Sequence, residues 1–201
     1  MLILLHGVRS NEDDLFALTP YLDERFCIVS ARAPQALGLG QYGWYHVNFL
    51  PDRIEKDARE MEQARRQLIA FIREAITAYE VDPRQVYLMG FSQGAIMSLA
   101  AILTAPELFA GAVVMSGSLP DEVLSEAAAP EQLKGISLLV VHGLYDDIIP
   151  IAQARRMSAY LTGLPVNMEF RDYPMRHQIS DQSLDDVAGW LIARLDGEKA
   201  L

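Results

Sequence analysis

Residues 85–94 read Gln85-Val86-Tyr87-Leu88-Met89-Gly90-Phe91-Ser92-Gln93-Gly94, and they carry the strongest structural signal in the chain. The apolar run Gln85–Met89 predicts a buried strand, and a helix is predicted from about Gln93 to Leu103. Between them stands the pattern G-x-S-x-G, whose tight turn strains the serine backbone and leaves no space for flanking side chains. The stretch therefore predicts a strand, a sharp turn and a helix that presents the Ser92 hydroxyl at its N-terminus.

Short apolar runs and longer amphipathic stretches alternate along the rest of the chain. The other runs that predict strands are Leu2–Leu5, Phe26–Val29, Gly111–Met115, Leu138–Val141 and Val166–Tyr173. Most are nearly continuous in Val, Ile and Leu, as in parallel strands covered on both faces, whereas the last alternates, as near a sheet edge. Further helices are predicted from Ile54 to the Asp82-Pro83 stop, from near Pro150, and from Ser180 as its cap. We therefore predict a single α/β domain over residues 1–201, with a mostly parallel central sheet flanked by helices.

Composition narrows the class of protein. The 201 residues carry 27 acidic and 17 basic side chains, for a formal net charge of −10, and 51% of them are hydrophobic. This argues against a disordered or fibrous chain, and against nucleic acid or an anionic membrane as a partner. The single cysteine, Cys27, forms no internal disulfide, and no apolar run approaches the ~18 residues that span a bilayer. Because Met1–Leu5 is too short for a signal peptide, we expect a cytoplasmic protein without stable membrane anchoring.

Residues that carry chemistry follow the predicted strands, where the active sites of parallel sheets lie. Ser92 follows one strand, Asp146 and Asp147 follow Leu138–Val141, and His177 follows the last strand. Serine, acid and histidine thus stand in the chain order of a triad in which histidine activates the serine and the acid orients the histidine. The residues alone leave Asp146 and Asp147 as alternative acids.

The loops contain further candidates and one misleading motif. A triad needs two amides for the developing oxyanion, which we expect from Gln93 and from Val8, after the first strand. His6 and His142 each precede a glycine at a strand end and are expected to be structural. The four histidines are isolated in sequence, so we expect no metal and no cofactor.

The stretch from Gly38 to Gly43 matches the dinucleotide-binding pattern G-x-G-x-x-G. It neither directly follows a predicted strand nor opens a helix, which favours a flexible loop over the active site.

An apolar cleft is expected beside the triad, and a few aromatic and aliphatic residues are candidates for its walls. They are Leu37, Tyr42, Trp44, Phe49 and Leu50. An ordinary packed loop is the alternative interpretation of the same residues. We expect short to medium acyl chains as substrates, because 201 residues leave no room for a large lid.

The chain resembles the phospholipase/carboxylesterase family of α/β-hydrolases, which includes acyl-protein thioesterases. The resemblance spans nearly the whole chain and rests on Leu4–Gly7, Asn11–Leu15, Trp44-Tyr45, Gly90–Gly94, Ser116-Gly117, His142-Gly143 with Asp146 and Pro150, and His177. It implies the α/β-hydrolase fold and ester hydrolysis, with Ser92 as nucleophile, His177 as base, Asp146 as the acid, and Val8 and Gln93 as oxyanion donors. A thioesterase or lysophospholipase acting on acylated protein or lipid, and a non-catalytic binding protein, remain alternatives.

Three departures from the family pattern bear on the sheet and the substrate. Family members usually have one or two strands before the His6-Gly7 loop, so we expect a sheet shortened at its N-terminal edge. An exposed first strand would then be available for a homodimer. Arg9 and Ser10 stand where glycines are usual, and Arg9 is expected to narrow the cleft or attract an acidic group. His46 stands near the place of a usual acid.

Overall fold

The computed structural model of the chain describes residues 1–50 and 54–197, apart from the side chains of Phe49, Ile54 and Pro83. Its strands are β1 Leu2–Leu5, β2 Ile28–Ala31, β3 Gln35–Gly38, β4 Gln41–Gly43, β5 Val47–Phe49, β6 Ile54–Lys56, β7 Tyr87–Phe91, β8 Gly111–Met115, β9 Ser137–Gly143 and β10 Asn167–Tyr173. Its α-helices are α1 Glu12–Phe16, α2 Ala58–Ala78, α3 Gln93–Thr104, α4 Ile151–Thr162 and α5 Asp181–Leu195.

The central sheet has six parallel strands in the order β10-β9-β8-β7-β1-β2. Successive side chains of a strand point to opposite faces, so each strand contributes to two cores. Ile3, Leu88 and Val114 belong to the core on the side of α2, α3 and α4. Leu4 and Met89 belong to the other core, with side chains of α1 and α5. Because helices cover both faces, the inner strands read as continuous apolar runs, as predicted.

The edges of the sheet differ in part from the prediction. β10 lies at one edge, in agreement with its alternating pattern. β1, however, pairs with both β2 and β7, and Leu2 to Leu5 are fully buried. The expectation of an exposed first strand was therefore wrong, and β2 forms the edge on that side. The order of strands in a sheet is set by packing and connections, which a local apolar pattern does not encode.

Two antiparallel hairpins, β3–β4 and β5–β6, lie between β2 and α2, where no strand was predicted. β6 occupies Ile54–Lys56, the predicted start of the following helix, so that prediction was wrong at its beginning: α2 runs only from Ala58 to Ala78. The Gly38–Gly43 motif spans the end of the first hairpin, and Gly40 has a φ of 68° at its turn. The motif opens no helix, but it is a paired hairpin rather than the flexible loop that we expected. Within the described residues, no helix is both long and apolar enough to cross a membrane.

Candidate active site

The turn between β7 and α3 holds Ser92 in a strained conformation. Ser92 has φ 53° and ψ −116°, and its N–H donates to the Met115 carbonyl at 2.9 Å. A Cβ on Gly94 would lie 1.9 Å from the Leu5 carbonyl oxygen, and one on Gly90 would lie 2.4 Å from the Gly94 carbonyl oxygen. Both glycines are therefore required by close backbone approach, as the motif predicted. A strained non-glycine residue of this kind costs about 1–3 kcal/mol, and such residues concentrate at functional sites.

A continuous chain of hydrogen bonds joins Ser92, His177 and Asp146. His177 Nε2 lies 2.9 Å from Ser92 Oγ, and His177 Nδ1 lies 2.7 Å from Asp146 Oδ2. The Asp146 side chain is fully buried, while that of His177 is 15% exposed. The ring of Phe91 packs against the imidazole, with 5.0 Å between the ring centroids. The structure thus brings together the three residues that the sequence placed after separate strands.

The carboxylate of Asp146 is held in its ionised form. Its Oδ1 accepts hydrogen bonds from the amides of Ile148 at 2.9 Å and Ile149 at 2.8 Å. Burial alone would raise the pKa of Asp146, but the hydrogen bond from His177 and those from the two amides outweigh it, so this pKa lies below the usual value. The anion therefore persists at neutral pH and fixes a proton on His177 Nδ1.

His142 has a structural role, as predicted, because it holds the loop that follows Asp146. Its Nε2 donates to the Ile149 carbonyl at 2.7 Å, next to the amide that binds Asp146. Burial lowers the pKa of His142 despite its carbonyl and carboxylate neighbours, so the ring stays neutral. His6 is also structural, because its Nε2 accepts from the Ala33 amide at 3.1 Å and its Nδ1 lies 2.7 Å from the Gly7 carbonyl oxygen.

The loops that carry Asp146 and His177 are bonded to each other. The amide of Leu144 donates to the Tyr173 carbonyl at 2.8 Å, and that of Tyr145 donates to the Met175 carbonyl at 3.0 Å. A Cβ on Gly143 would lie 2.4 Å from the Met175 carbonyl oxygen, so only a glycine at this position allows the two loops to approach this closely. The two loops therefore hold the acid and the histidine in one fixed arrangement.

Asp147 occupies a different environment from Asp146. Its side chain is 58% exposed, and its Oδ2 lies 3.2 Å from Arg176 Nη1. Neither of the His177 ring nitrogens is its partner. The geometry thus agrees with the family resemblance in pairing Asp146, and not Asp147, with the histidine.

The loop after β1 lies beside the serine. A Cβ on Gly7 would lie 3.5 Å from the Ser92 Cβ, which shows how closely the two segments pack. Among the described residues the Val8 amide has no hydrogen-bond acceptor. Gln93 is the first residue of α3, so no carbonyl of its own helix can accept from its amide. Both amides that the sequence analysis singled out are available to a ligand.

The side chain of Gln93 has a role that the sequence did not reveal. Its Oε1 accepts from the Trp44 amide at 2.7 Å, and its Nε2 donates to the Tyr45 carbonyl at 2.7 Å. The Trp44 indole donates to the His6 carbonyl at 2.9 Å and is only 2% exposed. Trp44 is therefore a buried residue that joins two loops, and the expectation that it walls the cleft was wrong. No periodicity or spacing signals a bond between a helix N-terminus and a segment 49 positions away.

Replacing Gln93 with leucine is expected to lower the free energy of unfolding by about 2–4 kcal/mol, because it leaves the buried Trp44 amide and Tyr45 carbonyl without partners. Urea denaturation of the variant and the wild type measures this difference. Gln67→Leu is the matched control, since Gln67 is exposed on α2. Equal stability of the two variants would contradict a clamp formed by the Gln93 side chain.

A cleft opens next to Val8, and we call it the Val8 cleft. It has a volume of about 610 Å³ and is lined by Val8, Arg9, Ala36, Leu37, Gln41, His46, Val47 and Asn48. Leu37 and Arg9 lie in its walls, whereas Ser92, Asp146 and His177 are not among its lining residues. Half of the lining residues are polar, which differs from the apolar cleft that we expected.

Neither Tyr42 nor Leu50 is among the residues that line the Val8 cleft. The Tyr42 ring faces the guanidinium of Arg32, whose Cζ lies 4.8 Å from the ring centroid. Leu50 is exposed, and the side chain of Phe49 lies outside the described residues. Tyr42 and Leu50 were mistaken for cleft walls because an aromatic or aliphatic residue in a loop does not reveal which way it points.

His46 binds an acid from another element. Its amide donates to Glu60 Oε2 at 2.7 Å, and its Nδ1 lies 2.7 Å from the same oxygen. Glu60 of α2 thus places a carboxylate beside His46, which stands near the sequence position where family members usually have an acid.

Comparison with known proteins gives consistent matches. The model of a family described as phospholipase/carboxylesterase matches residues 1–194. Carboxylesterase SOBER1 of Arabidopsis thaliana is 29% identical over 160 residues, covering 78% of this chain and 70% of that protein. A probable inactive carboxylesterase of Oryza sativa subsp. japonica is 27% identical over 202 residues, covering 94% and 82%. Acyl-protein thioesterase 1 of Cryptococcus neoformans is 26% identical over 219 residues, covering 96% and 91%.

The architecture is also that of known structures. The crystal structure of the Bacillus cereus carboxylesterase has a TM-score of 0.83 and 23% identity, and the match covers 96% of this chain and 87% of that one. At this identity the likeness concerns the fold, and it confirms the predicted α/β class with a parallel central sheet.

Proposed function

The chain belongs to the phospholipase/carboxylesterase family, as its motifs indicated, and we propose that it is a serine hydrolase that cleaves carboxylic esters. Family membership supports ester hydrolysis in general. The observation that carries the proposal of a serine mechanism is the unbroken hydrogen-bonded chain from Asp146 through His177 to Ser92. The serine, histidine and aspartate are hydrogen-bonded in the order that a Ser-His-Asp mechanism uses, which supports the proposal.

The first half of the proposed reaction forms an acyl-enzyme. Ser92 Oγ attacks the ester carbonyl carbon while His177 Nε2, at 2.9 Å, accepts the hydroxyl proton. Asp146 keeps the imidazole in the tautomer that leaves Nε2 free to accept, and it stabilises the imidazolium that forms. The tetrahedral intermediate collapses as His177 returns the proton to the departing alcohol. Water then attacks the acyl-enzyme while His177 accepts its proton. His177 returns this proton to Ser92 Oγ as the carboxylic acid leaves.

The negative oxygen of the tetrahedral intermediate needs hydrogen-bond donors that are already in place. We assign this role to the amides of Val8 and Gln93. Support comes from the packing of Gly7 against Ser92 and from the position of Gln93 at the start of α3, whose dipole favours a nearby negative charge. The Gln93 side chain, which holds Trp44 and Tyr45, stabilises the surroundings of this oxyanion site.

Thioester hydrolysis is the second candidate, and the acyl-protein thioesterase among the relatives favours it. The same nucleophile, base and oxyanion donors serve a thioester, so the site itself does not distinguish the two. Parallel kinetics on oxygen and sulfur esters with the same acyl group decide between them. The probable inactive carboxylesterase among the relatives makes a non-catalytic binding role an alternative, and the hydrogen-bonded chain of Ser92, His177 and Asp146 opposes it.

We expect the highest kcat/KM for p-nitrophenyl esters of short to medium acyl chains, with a decline from octanoate to palmitate. Half of the residues that line the Val8 cleft are polar, so the cleft offers a long alkyl chain little apolar surface against which to bury itself. Steady-state hydrolysis of the acetate, butyrate, octanoate and palmitate esters measures the profile. A kcat/KM that rises steadily out to palmitate would contradict it.

A further inference from the structure

The backbone of Arg9 is held in a conformation that favours glycine. Its φ is 63°, in the left-handed region, where an ordinary side chain costs about 1–2 kcal/mol. The Arg9 amide donates to the Tyr42 carbonyl at 2.8 Å, and Ser10 pairs with Tyr42, so β4 fixes this conformation. An arginine at this position keeps the backbone strained where a glycine would relieve it. Backbone strain of this kind concentrates at functional sites, which points to a use for the Arg9 side chain.

The Arg9 side chain is exposed, and it binds no carboxylate of residues 1–50 or 54–197. Most arginines in the described part of the chain form ion pairs, including Arg32, which binds Glu12 nearby. Arg9 has neither an ion pair nor a hydrogen bond from its guanidinium to any of the described residues. In a chain with 27 acidic residues, an unpaired guanidinium is left available to an external anion.

The surroundings of Arg9 suit such an anion. Of the described residues, those that line the Val8 cleft include no carboxylate, while Gln41 and Asn48 offer amide N–H groups. His46, which also lines the cleft, is held by Glu60. Arg9 directly follows Val8, so an anion bound by its guanidinium would lie within one side-chain length of the proposed oxyanion site.

We propose that Arg9 determines specificity by binding a carboxylate or phosphate group of the substrate in the Val8 cleft. The proposal rests on the proposed ester hydrolysis and names the class of ester: one that carries an anionic group close to the scissile bond. The guanidinium presents a planar set of donors that matches either anion. Because the net charge of −10 repels anions at long range, selection of an anionic ester requires a local cation of this kind.

Matched pairs of charged and neutral esters test the proposal. Mono-p-nitrophenyl glutarate is compared with p-nitrophenyl valerate, and butyryl-glycerol phosphate with glycerol monobutyrate. For wild type, Arg9→Gln and Arg9→Gly, the measured quantity is the ratio of kcat/KM for the charged ester to that for its neutral partner. Arg9→Gly relieves the left-handed strain and so guards against loss of folding. Arg59→Gln is the matched control, because it removes the same charge from an exposed position at the start of α2.

We expect the ratio to fall by about 5- to 30-fold in both Arg9 variants, mainly through KM, and to stay within about twofold in Arg59→Gln. A fall in the glutarate pair alone assigns a carboxylate on the acyl side, and a fall in the glycerol pair alone assigns a phosphate on the alcohol side. An unchanged ratio in both pairs overturns the proposal, even if both activities drop, because a purely structural role lowers them together.

Failure of the proposed ester hydrolysis can be told apart from failure of the proposed anion site. It would appear as hydrolysis that does not depend on Ser92 for any ester. In that case, calorimetric binding of glutarate and of glycerol phosphate to wild type and Arg9→Gln still tests the anion site. Weaker binding by the variant supports the site, and equal binding or no binding overturns it.

Discussion

Replacing Ser92 with alanine is expected to lower kcat for p-nitrophenyl butyrate by about 10⁴- to 10⁶-fold, equivalent to about 5–8 kcal/mol of barrier. The variant keeps the backbone and the glycines of the turn but removes the oxygen that attacks the carbonyl. His177, at 2.9 Å from that oxygen, is left with no nucleophile to deprotonate. Residual turnover comes from the oxyanion donors and from substrate binding. Single-turnover and steady-state assays of both proteins measure the loss.

Ser116→Ala is the matched control for this substitution. Ser116 also follows a strand of the sheet and also has a positive φ, 50° against 53° for Ser92, but it forms no bond to His177. Its variant is expected to retain activity within a few-fold. A serine-directed fluorophosphonate should label wild type and Ser116→Ala, and not Ser92→Ala. Near-wild-type turnover by Ser92→Ala would refute the proposed mechanism.

Asp146→Asn is expected to lower kcat by about 10³- to 10⁴-fold while the protein stays folded. The amides of Ile148 and Ile149 require an oxygen at the Oδ1 position, so the asparagine carbonyl takes that place and its NH₂ faces His177. His177 Nδ1 must then accept a hydrogen bond, which moves the ring proton to Nε2. That nitrogen now donates to Ser92 and no longer accepts its proton. The loss should appear in kcat with little change in KM.

The neighbouring acid provides the control. Asp147→Asn removes an exposed carboxylate that pairs with Arg176, and we expect its kcat to stay within about twofold of wild type. If Asp147→Asn were the damaging substitution and Asp146→Asn were silent, the assignment of the acid would be reversed. Circular dichroism of both variants establishes that they are folded.

Much of this arrangement is predictable because it depends on local patterns. The bounds of β1 and β8 agree with their apolar runs, and Ser180 caps α5 through the Ser183 amide as its side-chain chemistry predicts. The turn at Ser92 is predictable because G-x-S-x-G between a strand and a helix has few backbone solutions. The juxtaposition of Ser92, Asp146 and His177 is predictable because the carboxyl ends of parallel strands meet at one edge of the sheet.

The remaining features depend on tertiary contacts that the sequence pattern does not contain. The strands of the two hairpins are only three or four residues long, too short for a periodic signal. The direction of the Trp44 indole is set by a carbonyl of another loop, and the partner of His46 comes from α2. The position of β1 between β7 and the edge strand β2 results from the order of strands, which a linear pattern leaves open.

The two hairpins, β3–β4 and β5–β6, are attached to the central sheet in a way that would let them be replaced while the sheet stays unchanged. They provide most of the Val8 cleft, and in the described residues a limited set of hydrogen bonds fastens this region. Tyr42 bonds to Arg9 and Ser10, and Asn11 to Gly40. Gln93 bonds to Trp44 and Tyr45, Trp44 to His6, and His46 to Glu60 and to the Asp57 amide. The reactive groups, in contrast, stand on the central sheet. A new hairpin that preserves those few anchors could replace the old one as a cassette. Substrate preference can therefore drift, or be engineered, without rebuilding the machinery that breaks the bond.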